Sequence, residues 1–306
     1  MARKPAFAPK EPIEKLPLAV RKDLRDNYEA KKAELEGKIA ELLGIDSFKA
    51  NLNANEIWAY NTDARQSIGG MFYRYVDGFL SCLKRYIDNF DDDGRVHFNE
   101  AVSQSELQIH VNPLGDKAPT IDCDIKDGIF NILFHHENLG YNQDYIYSEL
   151  LKAVERAPRE GLSIRAKKSV QEEYEENIDD LRDKIAETLA MPNLVIEPSF
   201  EENFKALKTA KGDNSSWEES FGRATLGYIN GLKSQLERQG FKGDEMLQEG
   251  LAEVMTAQKI VFLVVPEIKK RYHEVILEDG VLYLRTIPNE WWVNVDEAGS
   301  GLVDML

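Results

Sequence analysis

Val170, Tyr174, Ile178, Leu181, Ile185 and Leu189 recur at intervals of three and four, while the residues between them, in "QEEYEENIDDLRD", are mostly acidic. That spacing predicts an amphipathic helix with one apolar stripe and one solvated face. The same pattern occurs earlier, in "RKDLRDNYEAKKAELEGKIAELLG" (21–44). Tyr28, Leu35, Lys38, Ile39, Ala40 and Leu43 fall on Tyr174, Leu181, Lys184, Ile185, Ala186 and Leu189 at one constant separation. A second helix is predicted around "MFYRYVDGFLSCLKRYI" and again around "ATLGYINGLKSQLER", where Tyr75 and Gly78 match Tyr228 and Gly231. A glycine within a helix lets another backbone come close, which is the expectation for both.

The period then changes. "ELQIHV" and "KIVFLVV" are short runs suited to strands, and "TIDCDIKDGIFNILF" and "HEVILEDGVLYLRT" each hold two β-prone runs around Asp-Gly. Asp-Gly tolerates the positive φ of a tight hairpin turn. Asp127, Gly128 and Asn142 correspond to Asp279, Gly280 and Asn294, so three blocks repeat in the same order. The expectation is an α+β chain, a tandem duplication of a module with several helices followed by a small antiparallel β-sheet. Residues 17–157 would form the first repeat and 158–306 the second, with the break near Pro158, in "APREG". Residues 1–16 are locally basic and proline-rich, lack the apolar core of a signal peptide, and are expected to form a flexible arm.

Charge narrows the partners. The 306 residues carry 54 acidic and 38 basic side chains, a formal net charge of −16. Such a chain repels phosphate backbones and anionic bilayers, so neither nucleic acid nor membrane is expected as a partner. No run approaches the roughly 18 apolar residues that span a bilayer. Cys82 and Cys123 make neither a disulfide framework nor a metal clamp, which favours a reducing, cytoplasmic setting.

Candidate chemistry is sparse. "NFDDDGRVHFNE" (89–100) resembles the calcium loop of an EF-hand, with Asn89, Asp91 and Asp93 at the first, third and fifth positions, Gly94 at the sixth and Glu100 at the twelfth. Asn89 replaces the usual aspartate, and the matching stretch of the second repeat, "RQGFKGDEMLQEG", has lost the series. A solvated acidic connection between two helices explains it as well. His110, Cys123, His135, His136 and Glu137 have side chains that zinc accepts. If His135 and His136 lie in a strand, however, they point to opposite faces. Cys82, on the apolar side of a helix, is expected as a buried thiol. No nucleophile elbow and no glycine-rich phosphate loop occurs.

Tyr75 and Tyr228 are candidates to face a shared cleft, with packing the plainer role for both. Trp291 and Trp292 would place one ring inward and one toward solvent or a partner. The reading that follows is a noncatalytic cytoplasmic binding or scaffolding protein built from two packed modules, with no resident cofactor. Its rivals are an enzyme with its site at the module interface and a calcium-responsive protein acting through 89–100.

Overall fold

The computed structural model describes residues 7–62, 66–157, 161–212 and 215–306. The chain divides into two compact units, Met1–Arg159 and Glu160–Leu306. The expected break at Pro158 lies outside the described residues, as do residues 1–6 of the expected arm.

In the first unit α1 (Leu18–Leu24) runs through a widened π-helical turn, Arg25–Glu29, into α2 (Ala30–Leu43). There follow β1 (Lys49–Leu52), α3 (Ala54–Trp58), the long α4 (Ile68–Ala101), β2 (Glu106–Val111), the hairpin β3 (Ile121–Lys126) and β4 (Ile129–Phe134), and α5 (Tyr147–Arg156). The second unit opens with α6 (Ile164–Ser169), a π-helical turn at Val170–Glu175, and α7 (Glu176–Leu189). It continues through β5 (Val195–Glu197), α8 (Phe200–Lys211), α9 (Ser215–Glu218), α10 (Phe221–Arg238) and α11 (Glu245–Val254). Its last strands are β6 (Lys259–Val264), β7 (His273–Glu278) and β8 (Val281–Thr286).

Each unit holds a four-stranded sheet, in the order β1-β2-β4-β3 and β5-β6-β8-β7. Neither sheet is the purely antiparallel one expected. Only the hairpins β3–β4 and β7–β8 are antiparallel, whereas β1–β2, β2–β4, β5–β6 and β6–β8 are parallel. The helices between β1 and β2, and between β5 and β6, provide the long crossover that parallel neighbours need. The hairpins turn through Asp127 (φ 53°) and Gly128 (φ 74°), and through Asp279 (φ 50°) and Gly280 (φ 77°). Two successive positive φ values are the geometry for which Asp-Gly is suited.

Glycines set how closely the pieces approach. A Cβ on Gly69 or Gly222 would run into the carbonyl of Asp23 or Ser169, so the start of α4 and of α10 lies on the opening helix of its unit. A Cβ on Gly78 or Gly231 would strike the carbonyl of Gln143 or Val295, in the segment after the last strand. Asp23 accepts from the Gly69 amide at 2.8 Å and from Ser67 and Asn27 at 2.7 Å each. Burial alone would raise its pKa, but these hydrogen bonds outweigh it and hold the carboxyl below its ordinary value.

Part of the stretch expected to be a free arm lies along the first unit. Lys10 donates its amide to the Tyr60 hydroxyl (2.7 Å) and its ammonium to the Ala59 carbonyl (3.0 Å). The Ile13 amide donates to the Asn55 carbonyl (3.2 Å), and the Asn55 side chain donates back to the Ile13 carbonyl (2.7 Å). Among the described residues, no helix is long and apolar enough to cross a membrane.

Candidate functional site

The carboxyl ends of parallel strands are where open α/β sheets place ligands, because the loops leaving neighbouring strands part there. In the second unit these loops follow β6 at Val265 and Pro266, and β8 at Ile287, Pro288 and Asn289. Proline has no amide hydrogen with which to continue a ladder, which ends both strands. Helix α8 lies beside them, its inner face built from Asn203, Phe204 and Leu207.

Asn203 is the residue that fixes this helix to the strand end. It is fully buried, donates to the carbonyls of Pro198 (2.8 Å) and Phe262 (3.0 Å), and accepts from the Val264 amide (2.6 Å). One side-chain amide thereby satisfies the backbone on both sides of the gap, and a buried polar group so fully used makes a rigid joint.

Between α8 and the two loops is a groove of about 610 Å³. Ala206, Ala210, Val265, Pro266, Ile287 and Pro288 give it an apolar wall, and Glu202, Lys205, Thr209 and Asn289 supply polar groups. Its size is that of a ligand site, and its chemistry is a hydrophobic surface with a few polar handles. No histidine, cysteine or serine lines it.

The corresponding strand ends of the first unit are covered. A Cβ on Gly115 (φ +56°), in the loop after β2, would run into the Phe7 ring. That ring sits 4.7 Å from the His136 ring, in the loop after β4. His135 and His136 are beyond the strand rather than in it, and their rings stack at 4.4 Å instead of pointing to opposite faces. With Glu137 they bring three ligand-type atoms within 4.8 Å of one another. Local contacts account for this arrangement. The Glu137 amide donates to His135 Nδ1 (3.2 Å), so that nitrogen is an acceptor, and His136 Nε2 lies 3.4 Å from Asp116. His110 is elsewhere, with Glu56 at 3.1 Å and Gln108 at 2.8 Å, and Cys123 is buried within β3. Of the five residues that zinc would accept, His135, His136 and Glu137 therefore lie together, and His110 and Cys123 stand apart.

The sequence-nominated residues divide cleanly. Asn89, Asp91, Asp93 and Glu100 all lie within α4, where two helical segments meet at a kink, so the stretch resembling an EF-hand is helical on either side of Asp91. The apolar stripe of Phe90, Gly94 and Phe98 continues the buried face and keeps the segment wound. Only Asp91 leaves helical geometry (φ 48°, ψ −140°), and the kink there joins the two helical segments.

Tyr75 and Tyr228 are fully buried. The Tyr75 hydroxyl accepts from the Gly140 amide (3.0 Å), and the Tyr228 hydroxyl accepts from the Trp292 amide (2.9 Å). Each therefore latches the segment after the last strand, at a matching place in its unit. Burial pushes Tyr75 up to about 12 and raises Tyr228 as well. Trp291 is buried and stacks on Phe221 at 5.8 Å. Trp292 is 40% exposed, holds φ +66°, and has the Arg223 guanidinium 5.6 Å from its ring. Burial pushes the Cys82 and Cys123 thiols up, which disfavours the nucleophilic thiolate.

Family models, curated proteins and solved structures show no match to this chain. Sequence reasoning missed the groove, although Phe200, Phe204 and Leu207 at spacings of four and three mark α8, and Pro266 and Pro288 mark the two strand ends.

Proposed function

We propose that this chain is a noncatalytic binding protein whose ligand docks in the groove between α8 and the carboxyl ends of β6 and β8. The observation that carries this reading is the apolar wall between the two strand ends and α8, which Asn203 ties to β6, with no histidine, cysteine or serine along it. Duplication of one ancestral module supports a division of labour between the units. Its support is the shared strand order, the π-helical turn at the same place in each unit, and the like contacts that Gly78 and Tyr75 make within the first unit and Gly231 and Tyr228 within the second. Two buried free thiols and the charge of −16 fit a reducing, cytoplasmic location and partners other than nucleic acid or membrane.

The test uses an apolar fluorescent dye, 8-anilino-1-naphthalenesulfonate, titrated into the full chain. Saturable enhancement is expected, reduced at least fivefold by Ala210→Arg, which places a long charged side chain at an exposed position of the groove. Ala206→Arg should act in the same direction. Enhancement that neither substitution alters would remove the groove as the binding site.

A further inference from the structure

Strands β2 and β4 occupy the same places in the first sheet as β6 and β8 in the second. In the first unit the space beyond their carboxyl ends is filled by the chain's own residues 7–13. This segment touches the loop after β2 at Gly115, the loop after β4 at His136, and the region of α3 at Asn55, Ala59 and Tyr60. The groove of the second unit is bounded by the same three places: the loop after β6, the loop after β8 and the helix after β5. There they remain open.

The segment on the first unit is neither helix nor strand. Its sequence, "FAPKEPI", carries prolines at positions 9 and 12, which hold φ near the polyproline value and lower the entropy lost on docking. Phe7 supplies the apolar anchor, and Lys10 places its ammonium on a carbonyl and 5.1 Å from the Tyr60 ring centre. Proline-bearing extended segments dock elsewhere in apolar grooves, which are aromatic-lined in those cases and aliphatic here. The wall of Ala206, Val265, Pro266, Ile287 and Pro288 offers such a surface, and Glu202 at its rim suits a basic residue.

We infer that the groove of the second unit takes an extended, proline-bearing peptide segment with an aromatic anchor from a partner protein, in the way the first unit holds residues 7–13. This rests on the groove being the binding site. A second copy of this chain is the less suited source, because its own segment is already hydrogen-bonded to its first unit.

A fluorescein-labelled peptide, FAPKEPIEKL, corresponding to residues 7–16, is the probe, read by anisotropy against the full chain. Saturable binding is expected, weakened at least fivefold by Ala210→Arg in the protein and by alanine in place of phenylalanine in the peptide. Binding that Ala210→Arg leaves unchanged would mean exchange at the first unit and would overturn the inference. So would dimerisation of the full chain in sedimentation equilibrium that Ala210→Arg abolishes, since the occupant would then be a second copy. If the peptide fails while the dye still binds in an Ala210→Arg-sensitive way, the peptide class is wrong and the groove stands. If both fail, the site itself is wrong.

Discussion

Tyr75 and Tyr228 show how a single hydroxyl serves a fold. Each ring lies in the core, yet each oxygen receives an amide from the segment after the last strand, so the segment is pinned without the cost of an unmet buried donor. Tyr75→Phe keeps the ring and removes the acceptor, and should cost about 1 kcal/mol in urea unfolding at neutral pH. The hydroxyl also makes stability depend on alkali. Its pKa is raised by burial from 10.0 to about 12 in the folded chain, so the folded form binds the proton more tightly than the unfolded form. The associated stability is complete below about pH 10 and is lost as pH rises toward 12. Unfolding midpoints measured from pH 8 to 11.5 should fall less steeply in Tyr75→Phe than in the parent. Equal slopes would show that this hydroxyl does not titrate against folding.

At the scale of elements, helices approach strand-end segments as closely as their glycines permit. Gly231→Ala would drive a methyl into the Val295 carbonyl and should cost roughly 1–3 kcal/mol as overpacking. Gly37, exposed on α2 with nothing near its absent Cβ, is the contrast: Gly37→Ala should stabilise by about 0.5–1 kcal/mol. Similar effects from both in denaturant titrations would contradict the close approach. These elements differ in how far letters reveal them. The opening helices were legible because apolar residues at three and four spacing report local geometry, and the hairpins because Asp127-Gly128 and Asp279-Gly280 suit positive φ. Strands β1 and β5 were not, since "KANL" and "VIE" are too short to show a period and pair with distant residues. The π-helical turns at Tyr28 and Tyr174 were hidden as well, because widening one turn hardly disturbs the apolar stripe. The groove was illegible for a related reason: Ala206, Pro266 and Ile287 are ordinary residues until α8 and two loops bring them together. The acidic run 89–100 reads two ways because an EF-hand pattern and an exposed helix face both call for carboxylates.

At the scale of the molecule, the core of the second unit runs from Ala166 to Leu302, with side chains drawn from α6 through β8 and from the segment after it. Residues 161–306 expressed alone should therefore unfold in one cooperative step, monitored by circular dichroism against urea. A gradual, non-cooperative loss of signal would show that this core needs more of the chain. The strand order carries a further consequence, for synthesis. In both sheets the strand made last is an interior one, inserted between partners that precede it. A nascent chain that stops before Ile129, or before Val281, leaves β2 or β6 without its inner neighbour, and translation must pass those points before either sheet can be assembled.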